Sequence, residues 1–460
     1  MSVVVSILKW FLIAVLAVIL GGFSWLYLYP PALIRVGTGY AAKIVCSNHF
    51  IAGRDAGQVL KVDVQAPGHP LLGFVSATVD EEARTVSASL LGIFGTSHAL
   101  ARDGFGCTSI PDGEIDAARR MALPAAESEP APVRDMLWPE GERVEPSQDA
   151  AVSAILDNPD MTGPGMRAVV VVRNGRIVGE RYGEGFSADT PLLGWSMTKT
   201  VTAAIIGTLV REGRLALDQD DLFELWSTDD RSAITIADLL AMSSGLAFNE
   251  DYGDVTDVTR MLYLEPDMAG FAAAKELVAA PGSAFSYSSG TTLMLSRIWQ
   301  DSFDDPQAAL AWPRQALFSP LGMRSAVFEA DARGTFAGSS YLYASGRDWT
   351  RFGQFLLQDG VWQGTRILPE GFVAMMREPA PASDGVYGKG HLWLRGPGGN
   401  AGEKAGAGLP DDTFWLRGHD GQTVAVIPSR NLVVVRLGLT PSKLAYRPQA
   451  MVAALAAVLP

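Results

Sequence analysis

The first thirty residues are patterned unlike the rest of the chain. Residues 10–30 carry no charged side chain, and Lys9 is the single charge in 3–29. An apolar run of about 20 residues matches the hydrocarbon thickness that a helix must cross. Trp25, Tyr27 and Tyr29 close it, where an interfacial aromatic belt would sit. No Ala-x-Ala-like cleavage site follows, so an uncleaved anchor is preferred over a cleaved signal peptide.

Beyond the anchor the period changes to two. Residues 73–79 and 84–89 alternate around a polar turn at 80–83, which predicts a hairpin. Residues 31–125 therefore read as a small β-rich module. Residues 126–149 are rich in Pro, Glu and Ala, the composition of an extended linker. A second hairpin is expected from 168–173 and 176–182, joined by Asn174-Gly175, because Asn-Gly suits a type I′ turn. Helical patterns follow at 198–212, 236–242, 270–280, 291–300 and 345–358. Strands return at 414–417, 423–427 and 432–437, before a last helix at 447–458. Strands at both ends of 150–460, with helices between, predict an α+β domain. Its antiparallel sheet would be built from both ends of that stretch, with flanking helices and a helical insertion.

Composition and charge narrow the function. Of 460 residues, 48% are hydrophobic, enough for more than one ordinary core. The net charge of -13 argues against non-specific nucleic-acid binding. Cys46 and Cys107 are the two cysteines. In an exported chain they form a plausible disulfide; the alternative is two unrelated buried thiols. Closing that loop of about 60 residues would stabilise by roughly 4 kcal/mol in the chain-entropy model. His49, His69, His98 and His391 show no paired ligand spacing, so no zinc site is expected. Glycine-dense 396–408 precedes a strand and lacks phosphate-loop spacing, which predicts a surface loop.

Candidate chemistry begins at Ser196-Met197-Thr198-Lys199, ahead of the apolar run 201–210. A serine and a lysine three residues apart at a helix start share one face. The amine can then help remove the hydroxyl proton, and the helix N-terminus favours the resulting oxyanion. Spacing alone is weak evidence, because Ser6 and Lys9 repeat it inside the anchor. Two later segments supply what acyl transfer still lacks. One runs from Pro281 to Gly290 and contains Tyr287-Ser288-Ser289. The other is Arg417-Gly418-His419-Asp420-Gly421-Gln422.

In order and context these segments resemble the serine hydrolases of the class C β-lactamase superfamily. That group includes D-alanyl-D-alanine peptidases, esterases and 6-aminohexanoate-dimer hydrolases. Its motifs Ser-x-x-Lys, Tyr-x-Asn and Lys-Thr-Gly are matched by Ser196–Lys199, Tyr287–Ser289 and His419–Gly421. Supporting matches are 239–246, 320–323, 348–352 and Ile427-Pro428. The resemblance covers about 150–460. It implies that Ser196 is acylated and that Lys199 and Tyr287 form the acid–base pair. Which of the two is the base stays open, since coupled groups titrate as a unit. It also implies an oxyanion hole from the backbone N–H groups of Ser196 and Gln422, with Gly421 letting the strand edge approach substrate.

Two departures shape the substrate expectation. Ser289 stands where the family has asparagine; it either reaches the site or caps the helix that follows. His419 stands where the family has lysine. A mostly neutral imidazole clamps a carboxylate poorly, which favours esters or amides over penicillins and D-Ala-D-Ala peptides. The expectation is a cofactor-free bacterial serine hydrolase, anchored in the inner membrane and facing the periplasm, that takes a small ester or amide. Its rivals are a β-lactamase or D-alanyl-D-alanine peptidase, and a non-catalytic sensor of cell-wall fragments. An α/β-hydrolase is disfavoured because residues 194–198 lack the second glycine of Gly-x-Ser-x-Gly.

Overall fold

A computed structural model describes residues 2–121, 123, 135–145, 149–398 and 408–459. The chain forms two compact units. The first comprises Met1–Ala101, Cys107–Arg119 and Asp251–Pro266; the second comprises Arg102–Gly106, Arg120–Glu250 and Asp267–Pro460.

The first unit begins with α1 (Ser2–Leu28), whose Val4–Leu28 stretch is long and apolar enough to span a bilayer. Helix α2 (Ala32–Phe50) follows, with Ala41, Ala42, Val45 and Cys46 fully buried. Next come β1 (Val75–Asp80), β2 (Thr85–Leu90), β3 (Phe94–Arg102) and β4 (Gly106–Ser109), a four-stranded sheet in sequential order. The 73–79/84–89 hairpin is present, with Val75 opposite Leu90 and Asp80 opposite Thr85. The module is less purely β than its sequence pattern implies. Small residues let α2 lie close on β2, where Val86 and Ala88 are buried. A helix at Asp257–Leu264 also packs on α2, bringing Tyr40 and Tyr263 into edge contact at 5.8 Å. Cys46 and Cys107 are joined as a disulfide, with Cα atoms 6.0 Å apart. Of the expected linker, 126–134 and 146–148 lie outside the described residues, as do 399–407 of the expected glycine-dense loop. Within 135–145, Trp138 is buried and Leu137 bridges Arg143.

The second unit is built on a five-stranded antiparallel sheet. Helix α3 (Ala150–Asp157) leads into β5 (Met166–Arg173) and β6 (Arg176–Tyr182). Asn174 and Gly175 both have positive φ, 51° and 75°, as a type I′ turn requires. The C-terminal strands are β7 (Phe414–Gly418), β8 (Gln422–Ile427) and β9 (Leu432–Gly438). The sheet order is β7-β8-β9-β5-β6, so strands from both ends of the domain meet where Val433 faces Val172. Strand β5 does not alternate between buried and exposed positions. Ala168 and Val169 to Val172 are all fully buried, because both sheet faces are covered. Val169 and Val171 pack with Val152 and Leu156 of α3 and with Val452 and Leu455 of the last helix, Gln449–Val458. The other face meets the helix Gly346–Leu357. Between β6 and β7 lie the helical segments that carry the candidate chemistry, among them α4 (Thr198–Arg211) and α5 (Ser289–Asp301). The helix expected at 270–280 is short, Met268–Ala273, and ends before Pro281.

Candidate active site

Ser196 sits in a single 3-10 turn, Trp195–Met197, that feeds directly into α4. Two contacts fix that turn. The Trp349 ring lies against Gly194, so closely that a Cβ there would stand 2.1 Å from it. Gly418, at the end of β7, presses on the Gly194 carbonyl; a Cβ at 418 would lie 2.2 Å from that oxygen. Trp195 adopts φ 49°, a left-handed conformation that costs a bulky residue about 1–3 kcal/mol. Its buried ring packs edge-on against His419, 5.5 Å between centroids. The surrounding packing holds that strain in place.

Lys199 is 1% exposed and spends three hydrogen bonds in the site. Its Nζ donates to Ser196 Oγ at 3.1 Å, to Ser289 Oγ at 3.0 Å and to the Ser339 carbonyl at 3.0 Å. Burial pushes the amine down to about 8, with Glu250 opposing. Tyr287 is held by a loop tied to the 239–246 segment: Ser286 N–H donates to the Met242 carbonyl and Gly282 N–H to that of Ser243, both at 2.8 Å. The Ser196 hydroxyl acts on the Tyr287 phenol and favours its ionised form, against the larger effect of burial, and the Tyr287 ring lies 4.8 Å from Lys199 Nζ. Burial, aided by Glu250, raises the phenol above its usual value.

Ser289 reaches the site, and the helix cap is its neighbour. Ser288 Oγ accepts from Thr291 N–H at 3.2 Å and caps α5, which corrects the capping alternative for Ser289. Ser289 instead links Lys199 to a carboxylate. Its hydroxyl donates to Glu250 Oε1 at 2.5 Å and its N–H to Oε2 at 2.7 Å. Glu250, 39 residues upstream, therefore faces both the helix N-terminus and the lysine. Sequence reasoning missed it: a glutamate in a loop carries no spacing signal toward a serine so far along the chain. It missed the Ser339 carbonyl for the same reason. His391, seen only as a lone histidine, is fully buried behind Lys199. Its Nε2 meets Thr292 Oγ1 at 3.1 Å, and burial together with Lys199 drives it down to about 3.

The third segment turns at the edge of the sheet. His419 is exposed, with Nε2 3.4 Å from Asp420 Oδ1. Gly421 adopts φ 84°, and a Cβ there would crowd Arg436 Nη1 at 2.9 Å. Buried Arg436 donates to the Gly421 carbonyl at 3.1 Å. The Gln422 side chain turns inward: its amide pairs with both backbone groups of Gly438 and donates to the carbonyls of His419 and Asp420. The 419–421 turn is thus strapped to β9. An aromatic wall of Phe285, Tyr387 and Trp393 stands beside Tyr287, with Tyr287 and Trp393 centroids 5.2 Å apart.

Residues 157–457 match the family model described as Beta-lactamase. The chain belongs to the Beta-lactamase family. The 6-aminohexanoate-dimer hydrolase of Paenarthrobacter ureafaciens is 24% identical over 294 residues, 56% of this chain and 71% of that protein. An uncharacterised protein of Alkalihalophilus pseudofirmus is 29% identical over 98 residues; this match spans 21% of the chain and only 29% of that protein. Among solved structures, the fold resembles EstCE1, a hydrolase with promiscuous acyltransferase activity. The TM-score is 0.53 at 16% identity, covering 67% of this chain and 97% of that one. The family places the chain among hydrolases of β-lactamase fold, in agreement with the α+β architecture expected from both ends of the domain.

Proposed function

We propose that the protein hydrolyses a small ester or amide through an acyl-enzyme on Ser196. The observation that carries this reading is the buried Lys199 amine, bonded to the Ser196 hydroxyl and lowered to about 8. Near neutral pH a useful fraction of that amine is unprotonated and can accept a proton, as an ordinary lysine cannot. Tyr287 is shifted the other way and stays protonated, so it is the donor of the pair. Ser196 attacks the scissile carbonyl as its proton passes to Lys199 Nζ. Backbone N–H groups of Ser196 and Gln422 receive the oxyanion. Tyr287 protonates the departing alcohol or amine and is reprotonated from Lys199. Water then repeats the sequence on the acyl-enzyme and frees the acid. Gly421 and the strapped turn keep the strand edge open to substrate.

His419 offers no permanent cation where the family's lysine would stand, which weighs against a β-lactam or D-alanyl-D-alanine substrate held at that position. The apolar Val4–Leu28 helix and the Cys46–Cys107 disulfide together support an uncleaved anchor, with the rest of the chain in the periplasm of a bacterial cell. Reaction with a fluorophosphonate probe tests the nucleophile. Wild-type protein should be labelled and Ser196→Ala should not; equal labelling of both would remove Ser196 from the chemistry.

A further inference from the structure

Among the described residues, Arg417 is a cation at the candidate site that no carboxylate pairs with. Its guanidinium lies over the Trp393 ring, 4.0 Å from the centroid, and Trp393 packs on both Tyr287 and Tyr387. Three other guanidiniums of the second unit are satisfied by hydrogen bonds or ion pairs. Arg351 bridges Asp348 and Glu142, Arg347 forks onto Glu180, and Arg436 is saturated by carbonyls and Thr440. Among the described residues, none gives Arg417 a hydrogen bond or ion pair. The groups that act on it electrostatically are Tyr287 and Tyr387, both neutral phenols. In a chain with 50 acidic residues against 37 basic ones, leaving a half-buried guanidinium beside the reaction centre without a carboxylate is costly. Stacking on Trp393 holds the planar fork in one orientation and leaves its N–H donors without a partner among the described residues, so they are available to a carboxylate in bidentate fashion.

From this geometry we infer that Arg417 is a specificity-determining residue that binds a carboxylate of the substrate. The inference deepens the hydrolase reading and rests on it for the word substrate: the preferred ester or amide is anionic, its carboxylate several bonds from the scissile carbonyl. Arg417 thereby supplies the fixed cation that His419 does not.

The test is equilibrium binding to the full-length Ser196→Ala protein in detergent, measured by calorimetry, which needs no turnover. The probes are N-acetylglycine, 4-acetamidobutanoate and 6-acetamidohexanoate, each beside its primary carboxamide. At least one acid should bind about tenfold or more tighter than its carboxamide, the range of a charge-assisted pair. Arg417→Gln should abolish that preference, and Arg417→Lys should keep part of it. A thermal melt on each variant establishes that it is folded. Acid and carboxamide binding alike, or not at all, would overturn the inference, as would a preference that survives Arg417→Gln. The hydrolase reading fails separately, if wild-type protein shows no Ser196-dependent turnover of any ester or amide while the carboxylate preference stands.

Discussion

At the residue scale, the site is organised around one buried amine and the carboxylate that tempers it. Lys199 must lose its proton to act as base, so kcat/KM should rise with pH and level off above about 8. Glu250 favours the charged amine, so removing its charge lowers the amine further. Glu250→Gln should therefore move that acid limb to lower pH, read from a pH–rate profile on a neutral ester. A limb that stays in place or moves up would separate Glu250 from Lys199. Lys199→Ala and Tyr287→Phe should each cost about 10² or more in turnover. His391 gives a second pH signature. Its folded value of about 3 lies below its ordinary 6.5, so the fold excludes a proton that the unfolded chain takes up. Its contribution is intact above 6.5 and is lost as pH falls toward 3, by up to about 1.4 kcal/mol per pH unit. Urea unfolding of His391→Gln should show a shallower acid loss than wild type between those limits. The serine–lysine pair was legible because both partners lie on one helical turn. Glu250 and the Ser339 carbonyl were not, because each acquires its meaning from a residue on another segment.

At the element scale, the site exists because the Ser196 turn and the edge strand β7 touch through two glycines. Gly418→Ala would drive a methyl group into the Gly194 carbonyl, leaving one of the two backbones to shift. Turnover should fall by at least tenfold, since a displacement of about 1 Å at the reacting atoms has costs of that order. Comparing kcat with the thermal midpoint checks it; unchanged kcat would show that this contact does not set the turn. Elements with strong local signals were readable from sequence. Asn174-Gly175 can take positive φ at both positions, so the β5–β6 hairpin announces itself. Helix α2 did not, because its buried small residues resemble the neighbouring alternating strands more than a broad apolar stripe. The helix Asp257–Leu264 lies within the stretch read as catalytic, yet it packs in the first unit, a partnership that local pattern cannot encode.

At the scale of the whole molecule, the first unit combines the membrane-length helix, the disulfide and the four-stranded sheet. Cys46→Ser with Cys107→Ser should destabilise that unit by roughly 4 kcal/mol, read as a lowered midpoint of its own thermal transition. The sheet of the second unit was legible as a whole because its strands carry near-continuous Val, Leu and Ile and lie at the two ends of one domain. What joins both scales is the claim that the chain does covalent chemistry at Ser196. The most direct measurement is mass spectrometry of the protein quenched with acid during turnover of an activated ester such as p-nitrophenyl butyrate. The account predicts an added butyryl group that maps to Ser196 and accumulates further when deacylation is slowed in Tyr287→Phe. Steady turnover with no adduct in either protein, or an adduct on another side chain, would contradict it.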